Sequence, residues 1–144
     1  MPQRSIDSVI QPDSYLIVSP DTPVREVVCQ MAKARLSAAL IAEHGVLTGI
    51  FTEYDATFRV LGARLDADTA PVAQVMTHNP VTTTAHHPFG HALHMMYEGG
   101  FRHLPVVDHN RRPVGMVTSK DALAIDAIEL EKELVRREEI TVIL

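Results

Sequence analysis

One seven-residue pattern occurs twice in this chain, and the repeat limits the folds that the chain can adopt. Residues 49–55 read Gly-Ile-Phe-Thr-Glu-Tyr-Asp and residues 115–121 read Gly-Met-Val-Thr-Ser-Lys-Asp, so glycine, threonine and aspartate hold the same places. The match extends backward at nearly constant spacing, because Pro23 aligns with Pro88. A duplicated unit tends to fold into two similar halves that bury their apolar faces on each other. We therefore expect ligand sites in clefts between the halves.

Composition excludes several classes of protein. The 144 residues suit one compact domain or two closely packed half-domains, and 46% hydrophobic residues without tryptophan predict an aliphatic core. A net charge of -5 with no basic stripe argues against nucleic acid as the main partner. Cys29 is the single cysteine, which excludes a disulfide framework and a cysteine-based zinc site.

The sequence also predicts where the protein resides. The first residues carry no apolar signal-peptide core, and no apolar run is long enough to span a bilayer. We therefore predict a soluble, cytoplasmic protein without a membrane partner.

Hydrophobic periodicity predicts the order strand, helix, strand, strand, helix in each copy. In the first copy, the strands are expected at 16–18, 39–42 and 47–51. The first helix is capped by Thr22 and opened by Pro23, and the second helix runs from Thr52 to about residue 60. The apolar stripe of the first helix consists of Val24, Val27, Val28 and Met31.

The second copy follows the same order. Its strands are expected at 81–84, 104–107 and 114–117. His87 caps a helix that Pro88 opens and Gly99-Gly100 ends, and Thr118 opens the last helix. Its first helix has an apolar stripe of Phe89, Ala92, Leu93 and Met96. We expect short helical turns at Ile6, Val9 and Ile10 and at 72–76, repeats at 8–62 and 72–127, a linker at 63–71 and a C-terminal extension at 128–144.

This organisation resembles a tandem pair of cystathionine-β-synthase (CBS) domains. The marks are the two repeated patterns, the segment Val-Met-Thr-His-Asn-Pro-Val at 75–81, and Phe-Arg-His-Leu-Pro-Val-Val-Asp at 101–108. The resemblance implies an α+β fold in which two β-α-β-β-α repeats pack with pseudo-twofold symmetry. It also implies a stand-alone regulatory module, not an enzyme. Such modules bind AMP, ADP, ATP, NAD or S-adenosylmethionine between the repeats and signal to a partner protein, with no other cofactor required.

The Thr-x-x-Asp end of each pattern has two compatible interpretations. Where a strand passes into a helix, unpaired N–H groups favour an anion, and the threonine hydroxyl and aspartate carboxylate can bind the phosphate or ribose of a nucleotide. The structural alternative is that Thr52 with Asp55, and Thr118 with Asp121, are helix caps that resemble capping boxes.

The resemblance assigns residues to two unequal clefts. One would hold Thr52 and Asp55 opposite Pro80, Val81, Thr82, Arg102, His103 and Pro105. The other would hold Thr118, Ser119 and Asp121 opposite Leu16, Ile17, Ser37, Ala38 and Leu40. Arg102 offers a fixed positive charge suited to phosphate, whereas the second cleft has Ser37 at that position. We therefore predict that the Thr52/Asp55 cleft is the stronger nucleotide site.

Four histidines lie close together in the second copy, at positions 86, 87, 91 and 94. His87, His91 and His94 would share one helix face, which is a spacing that can bind zinc, nickel or copper. The alternative is a solvated polar face. Because no acidic or cysteine ligand completes the set, we expect no metal site.

The C-terminal segment bears on partners. Residues 129–139 are highly charged and predict an extension of the last helix, and residues 140–144 are apolar, as is typical of a terminus that docks on a partner. We expect a C2 homodimer and an effector protein that the sequence does not identify. The alternative function is a structural or dimerising adaptor with non-functional clefts.

Overall fold

A computed structural model describes residues 4–11 and 14–143, with side chains as far as residue 138. The first copy begins with a short 3-10 turn at Ile6–Ser8. Its elements are β1 (Ile17–Val18), α1 (Val24–Ala34), β2 (Ala38–Glu43), β3 (Val46–Thr52) and α2 (Glu53–Asp55), and α2 continues into a π-helix at Ala56–Leu61.

The second copy opens with a 3-10 turn at Val72–Gln74, which confirms the predicted turn. Its elements are β4 (Thr77–His78), α3 (Phe89–Gly99), β5 (His103–Val107), β6 (Pro113–Thr118) and α4 (Ser119–Ile143).

Within the described residues, the strands form a four-stranded sheet of order β1-β2-β3-β4 and a two-stranded sheet of β5 and β6. β1 runs parallel to β2, and the other pairs are antiparallel. The predicted strand at 81–84 is wrong: the segment contributes an isolated parallel bridge from Thr83 to Val106. In the first copy, the N–H of Leu40 donates to the carbonyl of Leu16 at 2.7 Å. Pro105 holds the place of Leu40 and has no N–H to donate, so the second pairing is shorter.

The helix starts differ from the prediction by one residue. Pro23 and Pro88 are the cap residues of α1 and α3, and the helices begin after them. The hydroxyl of Thr22 lies 2.9 Å from that of Ser19 and does not cap α1. α3 ends at Gly100, whose φ of 70° is the left-handed conformation that glycine adopts without strain.

The apolar stripes are largely confirmed. Val24, Val27 and Met31 are buried, but Val28 is 37% exposed. In α3 the buried stripe residues are Phe89, Ala92 and Met96, and Leu93 is only partly buried. The stripe facing each sheet is therefore narrower than the periodicity predicts.

The second helix of the first copy is not a regular α-helix. Gly62 N–H donates to the carbonyl of Thr57 at 2.8 Å, and Leu65 N–H donates to that of Val60 at 3.0 Å. Both bonds reach back five residues, so the helix from residue 56 is wound as a π-helix. π-turns occur frequently at functional sites.

Both faces of the central strands are buried. Ala39 and Ile41 of β2 face a cluster with α1, whereas Ala38 and Leu40 face a cluster between the sheets. This inter-sheet cluster joins Ala38, Leu40, Leu47 and Ile50 of the first copy to Val107 and Met116 of the second. Burial on both faces explains why β2 reads as an unbroken apolar run. The helices therefore lie outside two sheets that pack against each other.

The opening turn of each copy packs on the other copy. Ile6 lies in the core of the second copy, as the predicted docking turn requires, and Val72 lies in the core of the first. A β-carbon on Gly115 would lie 2.8 Å from Cδ1 of Ile10, and one on Gly49 would overlap the side chain of Met76. Each repeated glycine is thus required because the exchanged turn crosses its strand closely.

α4 confirms the predicted helical extension, since it continues to Ile143. Every described side chain from residue 126 to residue 138 is exposed. The predicted docking of the apolar residues 140–144 lies outside the described side chains. Among the described residues, none of the helices is both long and apolar enough to cross a membrane.

Candidate functional site

A cavity of about 750 Å³ opens between the two copies at the carboxyl end of β3. The first copy supplies Ile50, Thr52, Glu53, Tyr54, Asp55, Thr57, Phe58 and Arg59. The second copy supplies Thr77, Pro80, Val81, Gly100, Phe101, Arg102 and His103. Six of the eight residues predicted for this cleft therefore line one cavity.

The other two predicted residues lie apart from the cavity lining. Pro105 is buried and pairs with Met116 in the sheet of the second copy. Thr82 is partly buried and follows Val81, the last residue of its segment that lines the cavity.

Asp55 forms the buried polar part of the cavity. Its Oδ2 accepts the backbone N–H of Thr52 at 2.9 Å and lies 3.4 Å from the Thr52 hydroxyl. The backbone bond is one half of a capping box, and the Asp55 N–H donated to the Thr52 side chain is the other half, so the structural interpretation of this pair is confirmed. Burial raises the pKa of Asp55, and the Thr52 N–H and the nearby Arg59 charge oppose that rise.

Arg59 is a cavity residue that the sequence analysis missed. Its Nε lies 3.4 Å from Oδ1 of Asp55, and its Nη1 donates to the carbonyls of Val75 and Met76 at 3.3 and 3.4 Å. One guanidinium thus connects the aspartate of the first copy to the chain that opens the second. The i, i+4 spacing of Asp55 and Arg59 was the available sequence signal.

An exposed aromatic pair also escaped the sequence analysis. Tyr54 and Phe58 are each 60% exposed, and their ring centroids lie 4.5 Å apart at an interplanar angle of 36°. Both rings line the cavity, and they follow an i, i+4 spacing. With Ile50, Pro80 and Phe101 they give the cavity an apolar wall beside its charged groups.

His103 connects the two predicted clefts. Its Nε2 lies 2.7 Å from the hydroxyl of Ser37, which was assigned to the other cleft. Burial lowers the pKa of His103, Glu53 opposes this effect, and Arg102 and Lys120 add to it. The lowered pKa favours the neutral imidazole, and Arg102 supplies the permanent positive charge of this wall.

The residues predicted for the second cleft have different surroundings. Thr118 N–H donates to Oδ2 of Asp121 at 2.8 Å, which reproduces the cap of the first copy. Asp121 is only partly buried, and the place of Arg59 is held by Ile125, a buried core residue.

The residues predicted for the opposite wall of that cleft also lie in different surroundings. Ala38 and Leu40 are buried in the inter-sheet cluster, and Ser37 bonds to His103. Ile17 is 46% exposed, Leu16 is partly buried and Ser119 is exposed. The large cavity described above is lined by none of these residues.

The histidines of α3 and the preceding His87 make pairwise contacts. The rings of His87 and His91 stack with centroids 4.9 Å apart, and His94 Nε2 lies 3.3 Å from Oε1 of Glu98. In the described part of the chain, no three histidine, cysteine or acidic side chains come together as a metal site would require.

Comparison with known proteins identifies related sequences. The sequence signature of the CBS domain matches residues 8–62 and 72–127. The chain is 38% identical over 113 residues to the meiotically up-regulated gene 70 protein of Schizosaccharomyces pombe, covering 78% of this chain and 15% of that protein. It is 37% identical over 114 residues to the CBS domain-containing protein CBSCBSPB1 of Arabidopsis thaliana, covering 78% of this chain and 21% of that protein. The chain thus spans about a fifth or less of these relatives.

A solved structure matches over nearly the same length. The CBS domain pair of protein MJ0100, in complex with 5'-methylthioadenosine and S-adenosyl-L-methionine, superimposes with a TM-score of 0.80 at 25% identity. The match covers 89% of this chain and 99% of that chain. Both copies of the repeat are included in such a match.

Proposed function

The chain belongs to the CBS-domain family, and from this premise we propose that it is a regulatory module that binds an adenosine-containing small molecule between its repeats. The observation that carries the proposal is the cavity of about 750 Å³ to which both repeats contribute walls. This volume lies within the range of roughly 300–1,000 Å³ that is typical of small-molecule sites. No catalytic step is part of the proposal.

The chemistry of the cavity suits the three parts of a nucleotide. Tyr54, Phe58 and the apolar wall offer surfaces on which a planar base can pack. Asp55 retains acceptor capacity for ribose hydroxyls, because its carboxylate has about four lone-pair sites and its contacts with Thr52 and Arg59 do not use all of them. Arg102 is exposed and offers a guanidinium to a phosphate or carboxylate.

The MJ0100 pair supports the same class of ligand. Its complex contains 5'-methylthioadenosine and S-adenosyl-L-methionine, which share an adenosine group, and its fold matches this chain at a TM-score of 0.80. We extend the class of ligand, adenosyl compounds, to this chain. The choice among AMP, ADP, ATP, NAD and S-adenosylmethionine is a matter for measurement.

Isothermal titration calorimetry tests the proposal. The purified chain is titrated separately with S-adenosylmethionine, 5'-methylthioadenosine, AMP and ATP, with methionine and inorganic phosphate as controls that lack adenosine. We expect saturable binding of at least one adenosyl compound. At a hundred times its Kd, that compound should stabilise the fold by about 2.7 kcal/mol in thermal unfolding. If none of the four binds, the chain is not an adenosyl module.

Signalling would follow from differential binding. Because the cavity walls come from both repeats, a ligand that prefers one arrangement of the repeats shifts the population toward it. We propose that a separate effector protein recognises that arrangement. Limited proteolysis with and without the bound compound should show a changed cleavage pattern, and an unchanged pattern would contradict the shift.

A dimerising adaptor is the second candidate, and two observations favour it. In both copies the aspartate accepts the backbone N–H of its threonine, which gives the carboxylate a structural role in starting a helix. Several large apolar side chains on α4 are also exposed, namely Leu123, Ile128, Leu130, Leu134 and Val135. We propose a second copy of the chain as their partner. Light scattering should show a dimer that Leu130→Glu with Leu134→Glu converts to a monomer, and a monomeric parent chain would contradict it.

A further inference from the structure

Arg59 marks a difference between the two copies just beyond the repeated pattern. Asp55 and Asp121 accept the same backbone bond, from Thr52 at 2.9 Å and Thr118 at 2.8 Å. Four residues after each aspartate, the first copy has Arg59 and the second has Ile125. Arg59 lines the cavity, whereas Ile125 is buried in the core of its own copy.

The contacts of Arg59 join two walls of the cavity. Nε lies 3.4 Å from Oδ1 of Asp55, whereas the Thr52 N–H is accepted by the other carboxylate oxygen, Oδ2. Nη1 donates to the carbonyls of Val75 and Met76, just before Thr77 and Pro80 enter the opposite wall. The planar guanidinium presents several N–H donors in a fixed fork, so it can hold both groups at once.

We infer that Arg59 is a positioning residue that holds the Asp55 carboxylate in the orientation in which it accepts the vicinal hydroxyls of a ribose. An ionised carboxylate accepts two hydroxyl hydrogen bonds, whereas a protonated one donates and binds a diol less well. Burial opposes ionisation of Asp55, and the nearby guanidinium favours it. The inference rests on the proposed function, since it concerns the same cavity.

The test measures how well the site distinguishes adenosine from 2'-deoxyadenosine. Both nucleosides are uncharged, so direct attraction between Arg59 and a phosphate does not enter the measurement. We expect the parent chain to prefer adenosine by about 10- to 100-fold, as for a lost hydrogen bond to a charged group. Arg59→Met should reduce this ratio to about threefold or less.

Matched variants separate positioning from other roles. Arg136→Met removes an exposed guanidinium of α4 that does not line the cavity, and it should leave the ratio unchanged. In an Asp55→Asn background, Arg59→Met should change the ratio no further, because the two residues act through one carboxylate. The inference is overturned if Arg59→Met leaves the ratio at the parent value. It is also overturned if Arg59→Met lowers the ratio equally when Asp55→Asn is present.

Stability is controlled by circular dichroism on each variant. If Arg59→Met does not fold, Arg59→Lys replaces it, because lysine keeps a positive charge but not the fork. A reduced ratio in folded Arg59→Lys supports positioning, and a parent ratio refutes it. If the parent chain binds neither nucleoside nor any adenosyl compound, the proposed function itself fails. If the parent chain binds these compounds but the Arg59 variants keep the parent ratio, only the role of Arg59 is refuted.

Discussion

The two Thr-x-x-Asp patterns have the same local geometry and different surroundings. In both copies the aspartate accepts the N–H of its threonine, at 2.9 Å for Asp55 and at 2.8 Å for Asp121. Asp55 is buried beside Arg59 in a large cavity, whereas Asp121 is partly exposed. The pattern therefore specifies a helix cap, and its neighbours determine whether that cap also lies in a candidate ligand site.

This difference shows which features can diverge between the two copies of a duplicated unit. Short-range bonds such as the cap depend only on residues within one copy, so both copies keep them. The cavity depends on residues from both copies, and substitutions such as Arg102 for Ser37 or Arg59 for Ile125 make the two clefts unequal without disturbing either cap.

The largest expected effect is on ligand affinity. Asp55→Ala should weaken binding of the adenosyl compound identified by calorimetry about 100-fold, because a charged acceptor is lost from the cavity. Asp121→Ala should change affinity by less than about threefold, since that side chain lies outside the described cavity. Calorimetry on both variants gives the comparison. Equal losses would show that the clefts are equivalent in binding.

The next effect tests the exchange of opening turns. Gly49→Ala should destabilise the fold by about 2 kcal/mol in urea unfolding, because the added methyl overlaps Met76. Met76→Ala should relieve part of this cost in the double variant.

Ile10→Ala is the matched control, because Ile10 lies over Gly115 in the other copy. Its effect should add to that of Gly49→Ala within about 0.5 kcal/mol. The exchange of opening turns is contradicted if the stability effects of Gly49→Ala and Ile10→Ala are coupled while those of Gly49→Ala and Met76→Ala are additive.

A smaller effect concerns the first strand of each copy. The hydroxyl of Thr83 is buried and has no hydrogen-bond partner in the described part of the chain, and its equivalent in the first copy is Val18. Thr83→Val should therefore stabilise the fold by about 1 kcal/mol, and Val18→Thr should destabilise it by a similar amount. Thermal unfolding measures both. Destabilisation by Thr83→Val would indicate that this hydroxyl makes a favourable bond.

The smallest effect is a pH dependence from His103, a residue without a titratable counterpart in the first copy. Burial lowers the pKa of His103 from 6.5, so the unfolded chain takes up this proton first. Stability from this group is full above about pH 6.5 and is lost as the pH falls. The equivalent residue in the first copy is Ala38, which does not titrate.

His103→Gln keeps a side chain that can bond Ser37 and should lose less stability than the parent between pH 7 and pH 5. The measurement is urea unfolding at each pH. His86→Gln, at an exposed position, is the control and should behave as the parent does. If His103→Gln loses more stability than the parent between pH 7 and pH 5, folding does not lower the pKa of His103.

Much of the fold follows from local sequence signals. The order of elements in the first copy, the turn at Ile6–Ser8, the turn at Val72–Gln74 and the extension of α4 were predicted from spacing and turn residues, whereas β4 was not predicted. The predicted strand at 81–84 failed because its expected partner strand contains Pro105, and backbone pairing depends on both strands.

The cavity was predicted in part. Thr52, Asp55, Pro80, Val81, Arg102 and His103 were found through the repeat and the family resemblance. Phe58 and Arg59 were missed because they lie one helical turn beyond the repeated pattern, and Tyr54 was missed because it holds a variable position within that pattern. The bond from Ser37 to His103 links residues that the sequence assigns to opposite clefts, so no local signal indicates it.

The sequence by itself determined the duplicated halves, the threonine–aspartate caps and the apolar runs that become strands, because those features depend on residues a few positions apart. Tertiary structure decided which opening turn covers which glycine, which aspartate is buried beside an arginine, and where the large cavity opens. Those outcomes require groups far apart in the chain to compete for the same space and the same hydrogen bonds, and only the folded arrangement brings them together.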